Sequence, residues 1–250
     1  MARQTGFSSI SIYTNGSYPQ IIDLFSPYQI DHFSFSLDGA TPEVHDYLRA
    51  PGHFQKVTTT IQKAIAKGFK VWVRSSVTRQ NLNEINILAY FLDSLGVNRL
   101  SFVFTSFIGN AVHYPEIIIT AREWIEAKEK IKNINGLKNL VISFPDYFVS
   151  KKEYRQLLKK GYGCLLTKSN LQHANIMANG LVFSCSLITE SEEFATHIVT
   201  EKGVIPQESW KTLLLERYPD SSCPVQEFLR DKYGKLILGE DTIAVCPFSS

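Results

Sequence analysis

The chain has 250 residues, of which 44% are hydrophobic, which is enough for one large α/β domain or for a barrel with a small appendage. Its net charge of +2, with both signs mixed along the sequence, provides no basic patch for nucleic acid or a membrane surface, so neither partner is expected. No run reaches the roughly 18 apolar residues of a membrane span, and the start, MARQTGFSSI, has no signal-peptide core, so we predict a cytoplasmic protein.

Strand and helix patterns alternate over the first 144 residues. Runs rich in β-forming residues predict strands at 8–14, 32–37, 69–77, 100–105 and 140–144. Apolar positions at helical spacing predict helices at 54–68, 85–96 and 124–131, after a short helix at 19–25. This order predicts a parallel sheet with right-handed crossovers, either doubly wound or barrel-like.

Polar residues or glycine stand where each predicted strand ends. They are Thr14, Asn15 and Gly16; Ser36, Asp38 and Gly39; Ser75, Ser76 and Thr78; and Thr105, Ser106 and Gly109. Parallel strands bring their carboxyl ends to one rim, which is where barrel enzymes keep their sites. Loops are polar in general, so this pattern alone is equally compatible with ordinary loops.

A change of pattern near residues 150–163 predicts two domains, 1–150 and 151–250. Four lysines predict a solvated helix at the boundary, and Gly161-Tyr162-Gly163 would end it. Further on, Asn179-Gly180 separates two β-prone runs, which predicts a hairpin. The remaining tail contains four prolines and is expected to be irregular.

The four cysteines of the chain all lie in its last third, at Cys164, Cys185, Cys223 and Cys246. In a cytoplasmic protein they are expected to be reduced or metal-bound rather than in disulfides. Four thiolates would satisfy a tetrahedral zinc ion or one iron–sulfur cluster. Four unrelated buried thiols are the remaining alternative.

Several segments, taken together and in order, resemble the radical S-adenosylmethionine (radical SAM) enzymes that carry a C-terminal SPASM or twitch domain. The segments are SIYTNG at 11–16, SLDGATPEVHDYLR at 36–49, VTRQNLNEI at 77–85, FIGNA at 107–111 and ANGLVFSC at 178–185. The resemblance implies an α/β fold with a partial (β/α) TIM-like barrel, N-terminally incomplete, and a small irregular SPASM/twitch-like domain with a β-hairpin.

Two motifs of that family are absent from this sequence. The family holds its catalytic [4Fe–4S] cluster with a CxxxCxxC loop, and a Gly-Gly-Glu-Pro stretch holds the methionine amine. No cysteine precedes Cys164, so the chain alone is not expected to cleave S-adenosylmethionine. A fragment, a mis-started frame, a pseudoenzyme or a chain completed by a separate partner would each explain this.

The resemblance assigns four residues to S-adenosylmethionine, provided that the missing part is supplied. Ser36 would contact its ribose or carboxylate and Arg49 its carboxylate, while Asn15 would lie near the nucleoside and Gly109 near the adenine. The alternatives are a strand-end serine, a surface ion pair of Arg49 with Asp46, and glycine or Asn-Gly turns.

By the same resemblance, the four cysteines would hold one auxiliary [4Fe–4S] cluster. Zinc is the rival, although it usually takes a closely spaced pair of cysteines that this sequence lacks. The predicted function is that of a radical SAM/SPASM-type maturase acting on a peptide or protein. The alternative is a non-catalytic, metal-bearing scaffold for a peptide or partner chain.

Overall fold

The structure is a computed structural model that describes residues 2–106, 109–160, 174–189, 191–207, 216 and 242–245. The chain divides into two compact units. The first contains Met1–Thr105 and Glu126–Pro145, and the second contains Ser106–Ile125 and Asp146–Ser250. The division into domains at residue 150 stays a prediction.

A five-stranded parallel sheet forms the first unit. Its strands follow one another in chain order: β1 (Ser11–Thr14), β2 (His32–Ser36), β3 (Lys70–Val77), β4 (Arg99–Phe104) and β5 (Val141–Ser143). The connecting segments contain a 3₁₀ helix (Pro19–Leu24) and the helices α1 (Pro42–Leu48), α2 (His53–Ala66), α3 (Ile85–Leu95) and α4 (Ala121–Lys132). The predicted α/β fold with a parallel sheet is confirmed.

The two faces of this sheet differ in chemistry. On one face the side chains of Phe33 and Phe35 are fully buried, together with Val71 and Val73 of the neighbouring strand. Helices α2 and α3 bury apolar side chains in the same core, among them Val57, Ile61, Ala64, Leu88 and Leu92. The opposite face carries polar and aromatic residues, because side chains alternate along a strand. It includes His32, which stacks on Trp72 with ring centroids 3.6 Å apart.

Local signals in the sequence explain where the helices begin and end. Helix α3 ends at Gly96, which has a φ of 86° that favours glycine, and Gly68 follows α2 with a φ of 82°. Helix α1 was missed by the sequence analysis, because its seven residues are too short to show an apolar period. It begins with Pro42 at its first position, after the capping hydroxyl of Thr41.

The described part of the second unit contains small antiparallel sheets. The four-stranded sheet has the order β10 (Gly203–Pro206), β9 (His197–Thr200), β8 (Leu181–Phe183), β7 (Asn175–Ile176). Strand β6 (Phe148–Ser150) pairs with β11 (Thr242–Ala244), and α5 (Lys151–Lys159) follows β6. The hairpin predicted around Asn179-Gly180 forms, with the Met177 N–H donating to the Leu181 carbonyl at 2.8 Å.

One expectation about this region is wrong. The tail beyond that hairpin was expected to be irregular, but β9 and β10 form a second regular hairpin in it. Val199, Val204 and Ile205 give this segment a β-prone sequence that the prolines around it obscured. None of the described helices is both long and apolar enough to cross a membrane.

Candidate cofactor-binding site

Asp38 joins three segments at the carboxyl end of the parallel sheet. Its side chain is buried, directly after β2. One carboxylate oxygen, Oδ1, accepts the backbone N–H of Ser76 at the end of β3, at 2.8 Å. The other, Oδ2, accepts the Nε–H of Arg49 at 2.6 Å. The loop after β2, the end of β3 and the end of α1 are therefore held together by one carboxylate.

The geometry of Arg49 suits the capture of a second carboxylate. Its Nε is used by Asp38, whereas its two terminal nitrogens make no hydrogen bond to any residue that the structure describes. The side chain is 35% exposed, so these donors are accessible. A guanidinium can hold two carboxylates at once, one along its Nε side and one at its terminal nitrogens.

The ion pair of Arg49 with Asp46 that the sequence left open is not formed. Asp46 instead accepts the backbone N–H groups of Gly52 and Phe54, both at 2.6 Å, at the start of α2. These two hydrogen bonds hold the pKa of Asp46 below its ordinary value, although partial burial acts in the opposite direction. Asp46 therefore caps α2, and Arg49 pairs with Asp38.

Asn81 holds the backbone of this site together through its side-chain amide. The sequence had assigned it no role. Its Oδ1 accepts the Thr78 N–H at 2.7 Å, while its Nδ2 donates to the carbonyls of Asp38 and Ser76, both at 2.7 Å. The side chain is 2% exposed, so these polar groups depend on each other for hydrogen bonds. The asparagine of the VTRQN segment was the available signal, since a buried amide can join two strand ends.

The other residues predicted to bind S-adenosylmethionine occupy different surroundings. Ser36 ends β2, half-buried beside Arg74 of β3, and its hydroxyl makes no hydrogen bond to a described residue. Asn15 is exposed after β1, and its Oδ1 accepts the Ser17 N–H at 3.0 Å, which stabilises a turn. Gly109 lies in the second unit, where it begins a 3₁₀ helix (Gly109–His113) with a φ of 58°.

Two buried histidines connect the loop after β2 to the loop after β1. The backbone N–H of Asp38 donates to Nδ1 of His45 at 3.0 Å. Nε2 of His45 lies 2.8 Å from Nδ1 of His53, and Nε2 of His53 lies 3.1 Å from Oγ of Ser17. His45 is 0% and His53 8% exposed. We call the side chains of His45, His53 and Ser17 the histidine relay.

Burial keeps both histidines of the relay uncharged near neutral pH. Desolvation lowers the pKa of His45 from 6.5 to about 4, although the nearby Asp38 carboxylate acts in the opposite direction. Desolvation also lowers the pKa of His53, assisted by the positive charge of Arg49. Uncharged imidazoles can both donate and accept, which the relay requires.

The predicted metal ligands are only partly within the described residues. Cys185 follows β8 and is half-buried, whereas Cys164, Cys223 and Cys246 lie outside the described residues. In the part of the chain that the structure describes, no group of three or more His, Cys, Asp and Glu side chains is arranged to hold a metal ion. The four-cysteine set stays a prediction.

Comparison with known families identifies the first region. The model of the Radical SAM superfamily matches residues 2–91. These residues include β1 to β3, α1, α2 and most of α3, and they carry the Asp38–Arg49 pair and the histidine relay. The resemblance to radical SAM proteins is confirmed.

The chain aligns with only part of the length of the curated relatives that have similar sequences. PqqA peptide cyclase of Ruegeria pomeroyi is 24% identical over 186 residues, which are 70% of this chain and 47% of the relative. AdoMet-dependent heme synthase of Methanosarcina barkeri is 30% identical over 79 residues, or 30% of this chain and 23% of the relative. The chain thus spans about half of the first relative and about a quarter of the second.

Solved structures share the fold at low sequence identity. Streptococcus suis SuiB bound to S-adenosylmethionine superposes with a TM-score of 0.53 at 16% identity, covering 88% of this chain and 49% of SuiB. The enzyme anSMEcpe with bound AdoMet and Cp18Cys peptide gives a TM-score of 0.52 at 14% identity, covering 82% of this chain and 57% of that one. At this level of identity the likeness shows the fold, which agrees with a partial radical SAM barrel.

Proposed function

We propose that this chain is part of a radical SAM maturase that modifies a peptide, with a cofactor site on the rim of its parallel sheet. S-adenosylmethionine, when bound next to a reduced [4Fe–4S] cluster, supplies the radical that removes hydrogen from a substrate. The residues of this chain would bind and orient that cofactor. Its relatives and structural neighbours include a peptide cyclase and structures with bound peptides, which supports a peptide as substrate.

The observation that carries the proposal is the pairing of Arg49 with Asp38. Buried Asp38 fixes the guanidinium through Nε and leaves its terminal nitrogens to solvent. The amino-acid part of S-adenosylmethionine offers the carboxylate that such a fork binds. Ser36, whose hydroxyl makes no hydrogen bond to a described residue, would add a donor from the end of β2. Asn15 would lie on the nucleoside side, and the placement of Gly109 near the adenine stays a prediction from the resemblance.

The proposal also includes one auxiliary [4Fe–4S] cluster on Cys164, Cys185, Cys223 and Cys246. Cysteine thiolates are the usual ligands of such clusters, and four are needed. Cys185 follows the β7–β8 hairpin, as the family resemblance requires of the hairpin cysteine. The catalytic cluster would need thiolates that are not in this sequence.

A further chain segment that completes the barrel would fit the open side of β1. This strand pairs with β2 on one side and with no described strand on the other. Its unpaired N–H and C=O groups are the kind of edge that another strand covers. We therefore expect no 5′-deoxyadenosine from this chain alone with a strong reductant, and its production would contradict the proposal.

Binding of S-adenosylmethionine, measured by calorimetry on the 250-residue chain, tests the cofactor site. Arg49→Ala should weaken binding about tenfold or more, and Arg49→Lys should do so nearly as much, because lysine keeps the charge but not the fork. Arg3→Ala is the matched control, since Arg3 forms an exposed ion pair with Asp31 next to β1 and β2 at their amino ends. Equal affinities for wild type and Arg49→Ala would refute the assignment.

Anaerobic reconstitution tests the cluster and separates the maturase from the scaffold alternative. Iron, acid-labile sulfide and zinc are counted per chain, for the wild type and for Cys185→Ala. About four irons in the wild type, lost in the variant, would support the cluster. Zinc at one per chain with no sulfide, together with no binding of S-adenosylmethionine, would favour the scaffold.

A further inference from the structure

The direction of every hydrogen bond in the histidine relay is fixed by one backbone group. The Asp38 N–H can only donate, so Nδ1 of His45 must carry a lone pair. The proton of uncharged His45 is therefore on Nε2, from which it is donated to Nδ1 of His53. His53 in turn carries its proton on Nε2 and donates it to the hydroxyl oxygen of Ser17.

A single added proton would break the relay at any position. On Nδ1 of His45 it would face the Asp38 N–H, and on Nδ1 of His53 it would face the N–H of His45 across 2.8 Å. The reverse arrangement, in which Ser17 donates to His53 and His53 donates to His45, fails for the same reason. It places an N–H of His45 against the Asp38 N–H. The relay therefore holds together only when both rings are uncharged.

The relay links two loops that carry the proposed cofactor ligands. At one end, Ser17 belongs to the turn that contains Asn15 and Gly16. Helix α2 holds that turn as well, because the buried hydroxyl of Thr60 donates to the Gly16 carbonyl at 2.8 Å. At the other end, Asp38 follows Ser36 and holds Arg49.

We infer that His53 is a positioning residue: through the two uncharged rings it sets the placement of the loop after β1 relative to the loop after β2, and it makes ligand binding at this rim sensitive to pH. The cofactor part of this inference rests on the proposed function. The charges around the relay come from several elements: Asp38 after β2, Asp46 and Arg49 on or after α1, and Lys56 on α2. The carboxylates favour a protonated ring, whereas the cations and burial oppose it.

The tautomers provide the first test and do not depend on any ligand. In the ¹⁵N-histidine spectrum of the folded chain at pH 7.5, His45 and His53 should both carry their proton on Nε2. On acidification, His45 should stay unprotonated well below its ordinary pKa of 6.5, because burial lowers that pKa to about 4. A proton on Nδ1 of His45, or titration of His45 near pH 6.5, would overturn the inference.

Two variants of His53 then separate positioning from general folding. His53→Asn keeps an acceptor near the position of Nδ1, so the Nε2–H of His45 should stay hydrogen-bonded, whereas His53→Phe leaves that N–H without its acceptor while the Asp38 N–H still fixes the His45 tautomer. In His53→Phe the backbone amide signals of both Ser17 and Asp38 should shift. His113→Asn is the control, because His113 is exposed and lies in the second unit.

Binding of S-adenosylmethionine provides the second test. The wild type should lose about half of its affinity or more between pH 7.5 and 4, since His45 is half protonated at its pKa of about 4, while its amide spectrum stays folded. His53→Phe should bind about tenfold more weakly at pH 7.5, with little further change on acidification. His53→Asn should lie between them, and its affinity should fall at low pH only through protonation of His45, since an amide does not titrate. Unchanged affinity in His53→Phe would overturn the inference.

The two proposals can fail separately. If the wild-type chain does not bind S-adenosylmethionine at any pH, the residues of this chain do not form a cofactor site by themselves. The positioning role is then decided by the tautomers and by the joint shift of the Ser17 and Asp38 amides in His53→Phe, and the absence of either would overturn it.

Discussion

The two units of this chain differ in how their strands are stabilised. In the first unit, β2 and β3 bury a continuous set of apolar side chains against α2 and α3, and the buried amide of Asn81 is hydrogen-bonded. In the described part of the second unit, strands have two to four residues, and β10 is exposed along its length. A region with such short strands commonly needs a metal or another cross-link, whereas the first can rely on its core.

The largest effect that this comparison predicts is a loss of stability in the second unit when the proposed metal is removed. When the free concentration of iron and sulfide is about a thousand times the dissociation constant of the cluster, the second unit should gain about 4 kcal/mol of stability. Hydrogen exchange should then slow at 197–206 on reconstitution, while 70–77 in β3 stays protected in both states. Cys185→Ala should abolish the gain. Equal exchange at 197–206 with and without metal would show that the two regions do not differ in this way.

A close backbone approach provides a sharp test of the first unit. A Cβ on Gly39 would lie 2.8 Å from the backbone nitrogen of His45 and 2.9 Å from two side-chain atoms of Val44. Gly39→Ala would therefore displace α1 and should lower the free energy of unfolding by about 3 kcal/mol, measured in urea. Gly68→Ala is the control, because it adds a Cβ in open space at a φ of 82° and should cost about 1 kcal/mol.

Asn81 provides a test of the buried polar support. Asn81→Ala leaves the Thr78 N–H and two carbonyls without their partner, so the free energy of unfolding should fall by about 2 kcal/mol. Asn135→Ala, at an exposed site after α4, should change it by less than about 0.5 kcal/mol. If Asn81→Ala changed the free energy of unfolding as little as Asn135→Ala, water would have replaced the hydrogen bonds of the Asn81 amide.

The smallest effect is expected at Asp93, near the end of α3. Backbone N–H groups of Asn139, Lys138 and Leu140 donate to its carboxylate and hold its pKa below the ordinary 3.8. The stabilisation is therefore present above pH 3.8 and is lost as the pH falls through the lowered pKa. Asp93→Asn should be less stable than wild type at pH 7, and the difference should shrink toward pH 2. A difference independent of pH would contradict this.

The sequence predicted the strands of the first unit better than its site. The runs at 32–37 and 69–77 were assigned within one or two residues, because β-branched and aromatic residues end abruptly at polar ones. Strand β1 is shorter than expected, Ser11–Thr14 rather than 8–14, since its length depends on pairing with β2. Arg49 was identified by resemblance, but the pairing of Arg49 with Asp38 required the folded chain.

The sequence by itself determined the parallel α/β order and the radical SAM resemblance, because periodicity, glycine caps and motif order are local properties. Only the tertiary structure decided which polar groups meet. His45 and His53 are eight residues apart in the sequence, and Ser17 lies far from both. Folding buries them next to one another. Burial removes their charge, and the Asp38 N–H gives each hydrogen bond its direction.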